Sequence, residues 1–467
     1  MQGNTVIYLF VLAYWLIGLP FLVYLNKKYD DLLHPAGPLL ALTFLYAIGP
    51  ILYQHINGIT IYGDLISEKT ALLFCVACLL GELGIIGGAL IVSLRPKKSS
   101  FRLMMDTRTI RLAIPVMIVL ASILAVLTFD YVLSSFDITT ARAYSDWALS
   151  SRVDKMNAGA FQPVAEVIYS MVPTALLLGT GIVLTFKGRL PGRLIGMLIL
   201  GANVITMALS GSRSGMFMAL TAISIFFHYR VHQLRVASVA IGVLIAMLLL
   251  NGISLVRSTS QIAEMHEIFR NEVGGDMIRL LNPERSGEFL TGMNLMRLME
   301  AVSSGETYLN YGKGFLDDLA VFVPRLMFPN RPLPLSEKFV EEFYPGIREQ
   351  GMGYGLYFLQ DGYWAFGLPG VLLSMFIFSW VLSRIYCHIL PSLNSDFPVL
   401  VYAFTYFPLV IASPRSGLIL SFKSAAMGLI PFVMVLLVVF CVNGLFGRSS
   451  TIARMRSSRD ETPDLSR

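Results

Sequence analysis

The chain has 467 residues, of which 55% are hydrophobic and only 14% are charged, and its mean hydropathy is +0.66. Soluble domains carry about 25% charged residues, so this composition excludes a soluble protein and predicts an integral membrane protein. The formal net charge is +6, but in such a protein the distribution of basic residues over the loops matters more. The four cysteines all lie in or beside apolar runs, so no disulfide framework is predicted.

Apolar runs long enough to cross a membrane recur along the whole chain, and we predict a helix for each of them. The runs are too long and too uniformly apolar to be the alternating strands of a membrane barrel. The first run follows no basic segment, and Lys27 and Lys28 come after it, which indicates a retained span rather than a cleaved signal peptide. The predicted spans lie near Val6–Leu25, Leu39–Leu52, Thr70–Ser93, Leu112–Phe129, Val164–Phe186, Leu194–Leu209, Met216–Phe227, Val236–Leu250, Leu368–Ile389, Phe397–Ala412 and Ala425–Val442. The predicted fold class is therefore an all-α polytopic membrane protein with about 11 transmembrane helices.

Short loops rich in Lys and Arg predict the orientation, because such loops stay in the cytoplasm. Residues 94–111, 187–193 and 228–235 and the tail from Arg448 are basic, and the predicted topology puts all of them on one side. The N-terminus is therefore predicted outside and the C-terminus in the cytoplasm. The predicted organisation is a membrane bundle of about eight spans over residues 1–251, a large, partly helical external loop over 252–367, about three spans over 368–446, and a cytoplasmic tail over 447–467. The tail is polar and Ser-rich, which predicts disorder.

Four of the arginines predicted on the outer side stand among small residues or prolines, and membrane topology does not require basic residues on that side. Arg213 in "SGSRSG" and Arg415 in "SPRSG" stand among small residues at the ends of spans, and Arg325 and Arg331 lie in the proline-rich stretch "FVPRLMFPNRPLP". An arginine is costly within a membrane, and the plain interpretation is a side chain that extends to the lipid headgroups. A guanidinium also binds phosphate oxygens in pairs and keeps its charge. The sequence therefore favours a site for an anionic headgroup such as a diphosphate.

Three motifs, "SGSRSG" between two spans, "VPRLMFPNRP" in the external loop and "YFLQDGYWAFGLPG" leading into a span, resemble those of the Wzy-type O-antigen and oligosaccharide repeat-unit polymerases. The arginines at span ends are also similar to those of the O-antigen ligases. The resemblance implies the GT-C-like architecture of these polymerases and ligases, in the bacterial inner membrane. It implies that a growing glycan passes from undecaprenyl pyrophosphate to an acceptor repeat unit on the external face, in the synthesis of lipopolysaccharide O-antigen, capsule or exopolysaccharide. The implied partners are the lipid-linked donor and acceptor, membrane lipids, a chain-length regulator and a flippase, and no nucleic acid.

The resemblance also assigns roles to individual residues. Arg213, Arg325, Arg331 and Arg415 would bind the pyrophosphate and stabilise its developing charge, so the transfer is expected to invert the sugar and to need no metal or other cofactor. A general base must accept the proton of the acceptor hydroxyl. Asp361 is the first candidate, with His266, Glu349 and Glu342 in reserve, and the alternative for Asp361 is a helix N-cap or a surface charge. The sugar would stack on Tyr354, Tyr357, Tyr363 and Trp364, which otherwise form an aromatic belt at the membrane interface.

The chain departs from the family pattern at Arg331, where members commonly have lysine, and at Asp361, where they often have glutamate. Three other classes remain open. The main one is a flippase of lipid-linked oligosaccharide that uses Glu82 as a proton carrier, because an acid in the middle of a span is a functional candidate; otherwise this carboxyl ties helices together. The others are a transferase that adds one sugar from a polyprenyl phosphate donor, and an assembly partner without catalytic activity.

Overall fold

The computed structural model describes residues 2–57, 66–94, 213–230, 232–235, 291–323, 330–346, 355–393 and 396–430, with a few single positions between these ranges. Within them the chain is helical and contains no strand, which confirms the all-α class for this part of the protein. The helices are α1 Gln2–Tyr29, α2 Ala36–Asn57, α3 Glu68–Leu94, α4 Arg213–Arg230, α5 Gly292–Ser304, α6 Lys313–Ala320, α7 Leu335–Phe343, α8 Phe358–Ile389, α9 Asp396–Tyr406, α10 Ser413–Ser416 and α11 Leu418–Ile430. A short 3-10 helix, Leu390–Ser392, follows α8, and a π-helix, Phe407–Ile411, follows α9.

Three of the described helices are long and apolar enough to cross a membrane: Leu9–Tyr29, Glu68–Leu94 and Phe358–Ser392. Shorter apolar helices are Ala36–Ile51, Val401–Ile411 and Leu418–Ile430. The predicted spans near Leu112–Phe129, Val164–Phe186, Leu194–Leu209 and Val236–Leu250 lie wholly or largely outside the described residues. Insertion into a membrane is therefore supported, while the number of about 11 spans stays a prediction.

The contact between α3 and α8 is the most extensive between any two of the described helices. The glycines of "GELGIIGG" in α3 allow this contact, because an added Cβ atom would meet the α8 backbone. It would lie 2.6 Å from the Leu372 carbonyl oxygen at Gly84 and 2.3 Å from the Phe376 carbonyl oxygen at Gly88. Small residues three or four apart are the usual means by which membrane helices approach closely. The Ser379 hydroxyl adds a hydrogen bond across the interface to the Ile85 carbonyl oxygen, 2.6 Å away.

Helix α8 begins at Phe358, earlier than the predicted start of the span at Leu368, and it has a kink. At the kink Gly367 has φ 67° and ψ −149°, a conformation that glycine adopts without steric cost. Pro369 follows two residues later and lacks the N–H of a regular helical hydrogen bond. Every residue from Phe358 to Ala365 is buried, whereas the helix after the kink exposes a row of apolar side chains. The helix therefore has a covered first part and a second part with an exposed apolar face.

Helices α5, α6 and α7, in the loop that is predicted to be external, cover this first part of α8. The Trp364 indole N–H donates to the Tyr308 carbonyl oxygen at 3.2 Å, and the Asn310 amide donates to the Trp364 carbonyl oxygen at 2.8 Å. The rings of Phe339 and Phe343 in α7 meet Trp364 edge to face. The loop thus folds back onto the bundle and brings its polar residues to the start of α8.

Candidate functional site

Asp361 is the centre of a group of buried polar side chains at the start of α8, which we call the Asp361 cluster: Asp361, Asp318, Gln360, Asn294 and Ser413. The Asp361 side chain is 1% exposed, and its Oδ2 accepts a hydrogen bond from the Leu418 amide at 2.6 Å. Leu418 is the first residue of α11, so this carboxylate caps the N-terminus of another helix, where the helix dipole favours negative charge. Asp361 is not the N-cap residue of α8, which is Tyr357; its carboxylate binds the N-terminus of α11 instead. Oδ1 has no partner among the described residues.

Asp318 is a second buried carboxyl, which the sequence did not single out. It is 1% exposed in α6, and its Oδ1 accepts a hydrogen bond from the Leu335 amide at the start of α7, 2.7 Å away. Burial raises the pKa of Asp318 to about 6, and the negative charge of Asp317 acts in the same direction. The carboxyl lies close enough to Asp361 for the two to interact electrostatically. The site therefore holds two carboxyls, each with one oxygen on a helix N-terminus.

The other members of the Asp361 cluster also have polar atoms without partners in the described part of the chain. These atoms are both side-chain amide atoms of Gln360, Oδ1 of Asn294, Oγ of Ser413 and Oδ2 of Asp318. The Asn294 amide nitrogen does donate, to the Gly355 carbonyl oxygen at 2.6 Å. Buried polar groups in proteins are nearly always hydrogen-bonded. The unsatisfied oxygens of Asp361 and Asp318, which lie close enough to interact electrostatically, therefore indicate a candidate position for a polar ligand or water.

The four predicted arginines have different outcomes. Arg415 lies in α10 next to this cluster and is exposed, with its aliphatic stem against Gly355. Arg331 donates from Nη1 to the carbonyl oxygens of Val321 and Val323, at 3.1 and 2.9 Å, so this nitrogen holds a turn of the loop. Arg213 begins α4, and its side chain lies outside the described parts of the structure. Arg325 lies outside the described residues altogether.

The aromatic residues expected to bind sugar require a correction. Tyr357 is fully buried, donates its hydroxyl to the Thr43 carbonyl oxygen at 3.1 Å and stacks on Tyr46. Tyr363 and Trp364 are buried as well. These three rings fill the contact between α8 and its neighbours, so none of them stands on a sugar-facing surface or in an interfacial belt. Of the other predicted site residues, Tyr354, His266 and Glu349 lie outside the described residues, and Glu342 accepts a hydrogen bond from the Thr307 hydroxyl.

A second polar group, the Asp31 cluster, lies at the other end of α8 and was not predicted: Asp31, His34, His228, Tyr229 and Tyr386. Asp31 Oδ1 accepts from the Leu33 amide at 2.8 Å and from His228 Nε2 at 3.2 Å. Its Oδ2 accepts from the hydroxyls of Tyr229 and Tyr386, at 2.7 and 2.5 Å. Burial acts to raise the pKa of Asp31, but these hydrogen bonds outweigh it and the pKa is lowered. The carboxylate thus joins the α1–α2 turn, α4 and α8.

Glu82, the predicted proton carrier, is completely buried in α3. Neither of its carboxyl oxygens has a partner within the described ranges. Oε1 faces Gly18 in α1, where an added Cβ atom would lie only 2.7 Å away. The missing side chain of Gly18 therefore makes the space that this carboxyl occupies.

No family model, curated protein or solved structure matches this chain.

Proposed function

We propose that the chain is a polymerase of lipid-linked oligosaccharide repeat units, a membrane glycosyltransferase that moves a growing glycan from undecaprenyl pyrophosphate to an acceptor repeat unit. One observation carries the proposal. Asp361, in the motif that enters α8, accepts a hydrogen bond from Leu418, just after the "SPRSG" segment that carries Arg415. A candidate base and a candidate phosphate ligand, far apart in sequence, therefore lie at one end of the bundle.

The proposed reaction is a single displacement. The acceptor hydroxyl oxygen attacks the anomeric carbon of the donor sugar, the bond from that carbon to the pyrophosphate oxygen breaks, and the electron pair leaves with the pyrophosphate. The hydroxyl proton passes to the unpartnered Oδ1 of Asp361. The exposed guanidinium of Arg415 pairs with the leaving pyrophosphate as its negative charge develops. A displacement of this kind inverts the anomeric configuration.

Access to Asp361 requires a local movement, because the carboxyl is buried. The Leu356 side chain lies beside this carboxyl, because a Cβ atom added at Gly417 would be 3.1 Å from Asp361 Oδ2 and 3.4 Å from Leu356 Cδ2. An isolated β-bridge pairs Leu356 with Ser416. We propose that the acceptor displaces residues 355–357 and reaches the carboxyl from that side. A negative charge on Asp318, which interacts electrostatically with Asp361, would favour transfer of the acceptor proton to Asp361.

The test is a polymerisation assay with purified protein in liposomes that contain undecaprenyl-pyrophosphate-linked repeat units. We expect a ladder of polymer on a gel, without added nucleotide. Asp361→Asn keeps an oxygen for the Leu418 amide but cannot accept a proton, so the rate should fall by about 10²- to 10⁴-fold. The matched control is Glu306→Gln, which changes an exposed carboxylate of the same loop, 2.9 Å from Arg297, and should leave the rate unchanged.

The two parts of the proposal fail separately. Folded wild-type protein that makes no ladder would refute the polymerase function. A normal ladder from Asp361→Asn would remove this residue from the mechanism and leave the function standing.

A flippase is the second candidate, and the buried, unpartnered carboxyl of Glu82 favours it. A proton-coupled transporter binds and releases protons at such a group within the membrane. The loop helices packed on one end of α8 favour the polymerase instead, because transporters bind their substrates near the middle of the membrane. The same liposomes discriminate between the two: movement of lipid-linked oligosaccharide to the other leaflet, driven by a proton gradient and lost in Glu82→Gln, would favour transport.

A further inference from the structure

Helix α6 has an inverted polarity. Its buried residues are Gly314, Asp317 and Asp318, whereas Leu316 and Leu319 are 67% and 52% exposed. Apolar side chains remain exposed after the helix ends, at Phe322, Val323, Met327 and Phe328. We call these six exposed side chains (Leu316, Leu319, Phe322, Val323, Met327 and Phe328) the apolar rim. A helix of a loop in water would carry the opposite pattern, with its carboxylates outside and its leucines inside.

The apolar rim is next to the surface of α8 that faces lipid. An added Cβ atom at Gly312, just before α6, would lie 3.1 Å from the ring of Phe366 at the kink. Phe366 is itself exposed, and the exposed side chains of Leu372, Leu373 and Ile377 continue along α8 from there. The start of α6 therefore lies against the kink of α8, where the exposed apolar face of α8 begins.

The length of α8 places this contact at the edge of the membrane. The whole helix has 32 residues, which is about 48 Å at a rise of roughly 1.5 Å per residue. A hydrocarbon core is about 30 Å thick. The part after the kink, from Gly367 to Ile389, is about 34 Å long and suffices to cross it. With Gly367–Ile389 as the part that spans, the kink and α6 beside it lie at the boundary between hydrocarbon and headgroups, where the exposed tyrosines Tyr308 and Tyr311 are typical residues.

We propose that α6 and the apolar rim insert into the leaflet at this end of the bundle, with the acyl chains of the bilayer as the partner. Helix α6 then separates lipid from the Asp361 cluster, since its opposite face carries Asp318. The cluster lies at the depth of the lipid headgroups as a consequence. The exposure of the apolar rim and the position of α6 beside the kink of α8 support this proposal, whatever reaction the cluster performs.

The test is the environment of a spin label at position 319, in the full-length protein after its native cysteines have been replaced. Leu319→Cys is labelled with a nitroxide in vesicles of phosphatidylethanolamine and phosphatidylglycerol that contain no polyprenyl lipid. Accessibility to oxygen, which concentrates in lipid, is compared with accessibility to a water-soluble nickel chelate. Leu373→Cys on the exposed face of α8 is the lipid control, and Glu341→Cys in the exposed part of α7 is the aqueous control.

We expect the label at 319 to have the oxygen-to-nickel accessibility ratio of the label at 373. A ratio like that at 341 would overturn the inference, and so would a label that becomes shielded only when polyprenyl phosphate is added. Shielding from both reagents would overturn it too, because protein rather than lipid would then cover the rim. If the Leu319→Cys variant does not fold, the accessibility ratio of a label on Met327→Cys, in the same rim, is compared with those of the same two controls.

Discussion

At the scale of single residues, the two polar clusters differ in how well their carboxylates are satisfied. Asp31 accepts hydrogen bonds from Leu33, His228, Tyr229 and Tyr386. Asp361 accepts from the Leu418 amide, and its Oδ1 has no partner in the described structure. A satisfied network stabilises the packing of helices, whereas an unsatisfied buried group costs stability and is kept where a ligand uses it. The Asp31 carboxylate therefore stabilises the packing of the helices, although His34 Nε2 in its cluster has no partner among the described residues, and Asp361 is the better candidate for function.

His34 makes the Asp31 cluster sensitive to acid. The ring is buried between Tyr29 and Tyr386, and its Nδ1 accepts a hydrogen bond from the Ala36 amide. Burial lowers the pKa of His34 from 6.5 to about 4, although the nearby charge of Asp31 opposes the shift, and His228 is the other titratable ring in the cluster. Between these values the unfolded chain binds a proton that the folded chain does not, so the free energy of unfolding decreases as the pH falls from 6.5 towards 4.

We predict that this group costs the wild-type protein about 2 kcal/mol of stability at about pH 5 relative to about pH 7. His34→Asn keeps an acceptor for the Ala36 amide but does not titrate. Its free energy of unfolding should therefore fall on acidification by about 2 kcal/mol less than that of the wild type. Thermal unfolding in detergent at the two pH values measures the difference. The exposed His232→Asn is the control, and a wild-type response in His34→Asn would contradict the assignment.

At the scale of elements, the contact between α3 and α8 depends on glycines whose neighbours differ. At Gly88 an added methyl group would meet the backbone oxygen of Phe376 at 2.3 Å, which cannot move without the helix. At Gly87 it would meet the Phe376 ring at 3.3 Å, and a side chain can give way. The two adjacent positions therefore form a matched pair for testing the close approach of the helices.

We predict that Gly88→Ala destabilises the protein by about 1–3 kcal/mol, because the two helices must separate to relieve the overlap. Gly87→Ala should be nearly neutral, since alanine also favours a helix over glycine. The measurement is the midpoint of thermal unfolding of each variant in the same detergent. Equal effects of the two substitutions would show that the backbone of α8 does not limit the packing.

Helix α8 is longer than the apolar run from which its span was predicted. The apolar run predicts a start at Leu368, but the helix begins at Phe358 because α5, α6 and α7 bury the residues of its first turns, including Asp361 and Gln360. A window of hydropathy measures only how well a residue tolerates lipid. It cannot register a polar helical turn that other parts of the protein cover.

At the scale of the whole molecule, the two clusters lie at opposite ends of α8. Asp361 is in its first turn and Tyr386, which contacts Asp31, is near its end, about 37 Å of helix away. The predicted topology puts the Asp361 end outside and the Asp31 end in the cytoplasm. The proposed transfer to an external acceptor requires this orientation.

The orientation can be tested with single cysteines in a background without the native ones. Ser303→Cys lies in an exposed position at the Asp361 end, and His232→Cys lies in an exposed position at the Asp31 end. We expect a membrane-impermeant maleimide to label position 303 in intact cells, and position 232 only after the cells are broken. The reverse pattern would put the Asp361 cluster in the cytoplasm and would exclude an external polymerase.

Composition and long apolar runs by themselves predicted a helical membrane protein, and they located the first three described helices, because transfer into lipid depends on each segment's own side chains. The motifs also identified Asp361 and Arg415, two residues that lie at the same end of the bundle. Only the tertiary structure decided that Asp318 faces inward, that Tyr357 and Trp364 fill the core, and that Leu316 and Leu319 face outward. Burial depends on what packs against a side chain, and in α6 the usual relation between polarity and exposure is reversed where the helix lies between lipid and a polar site.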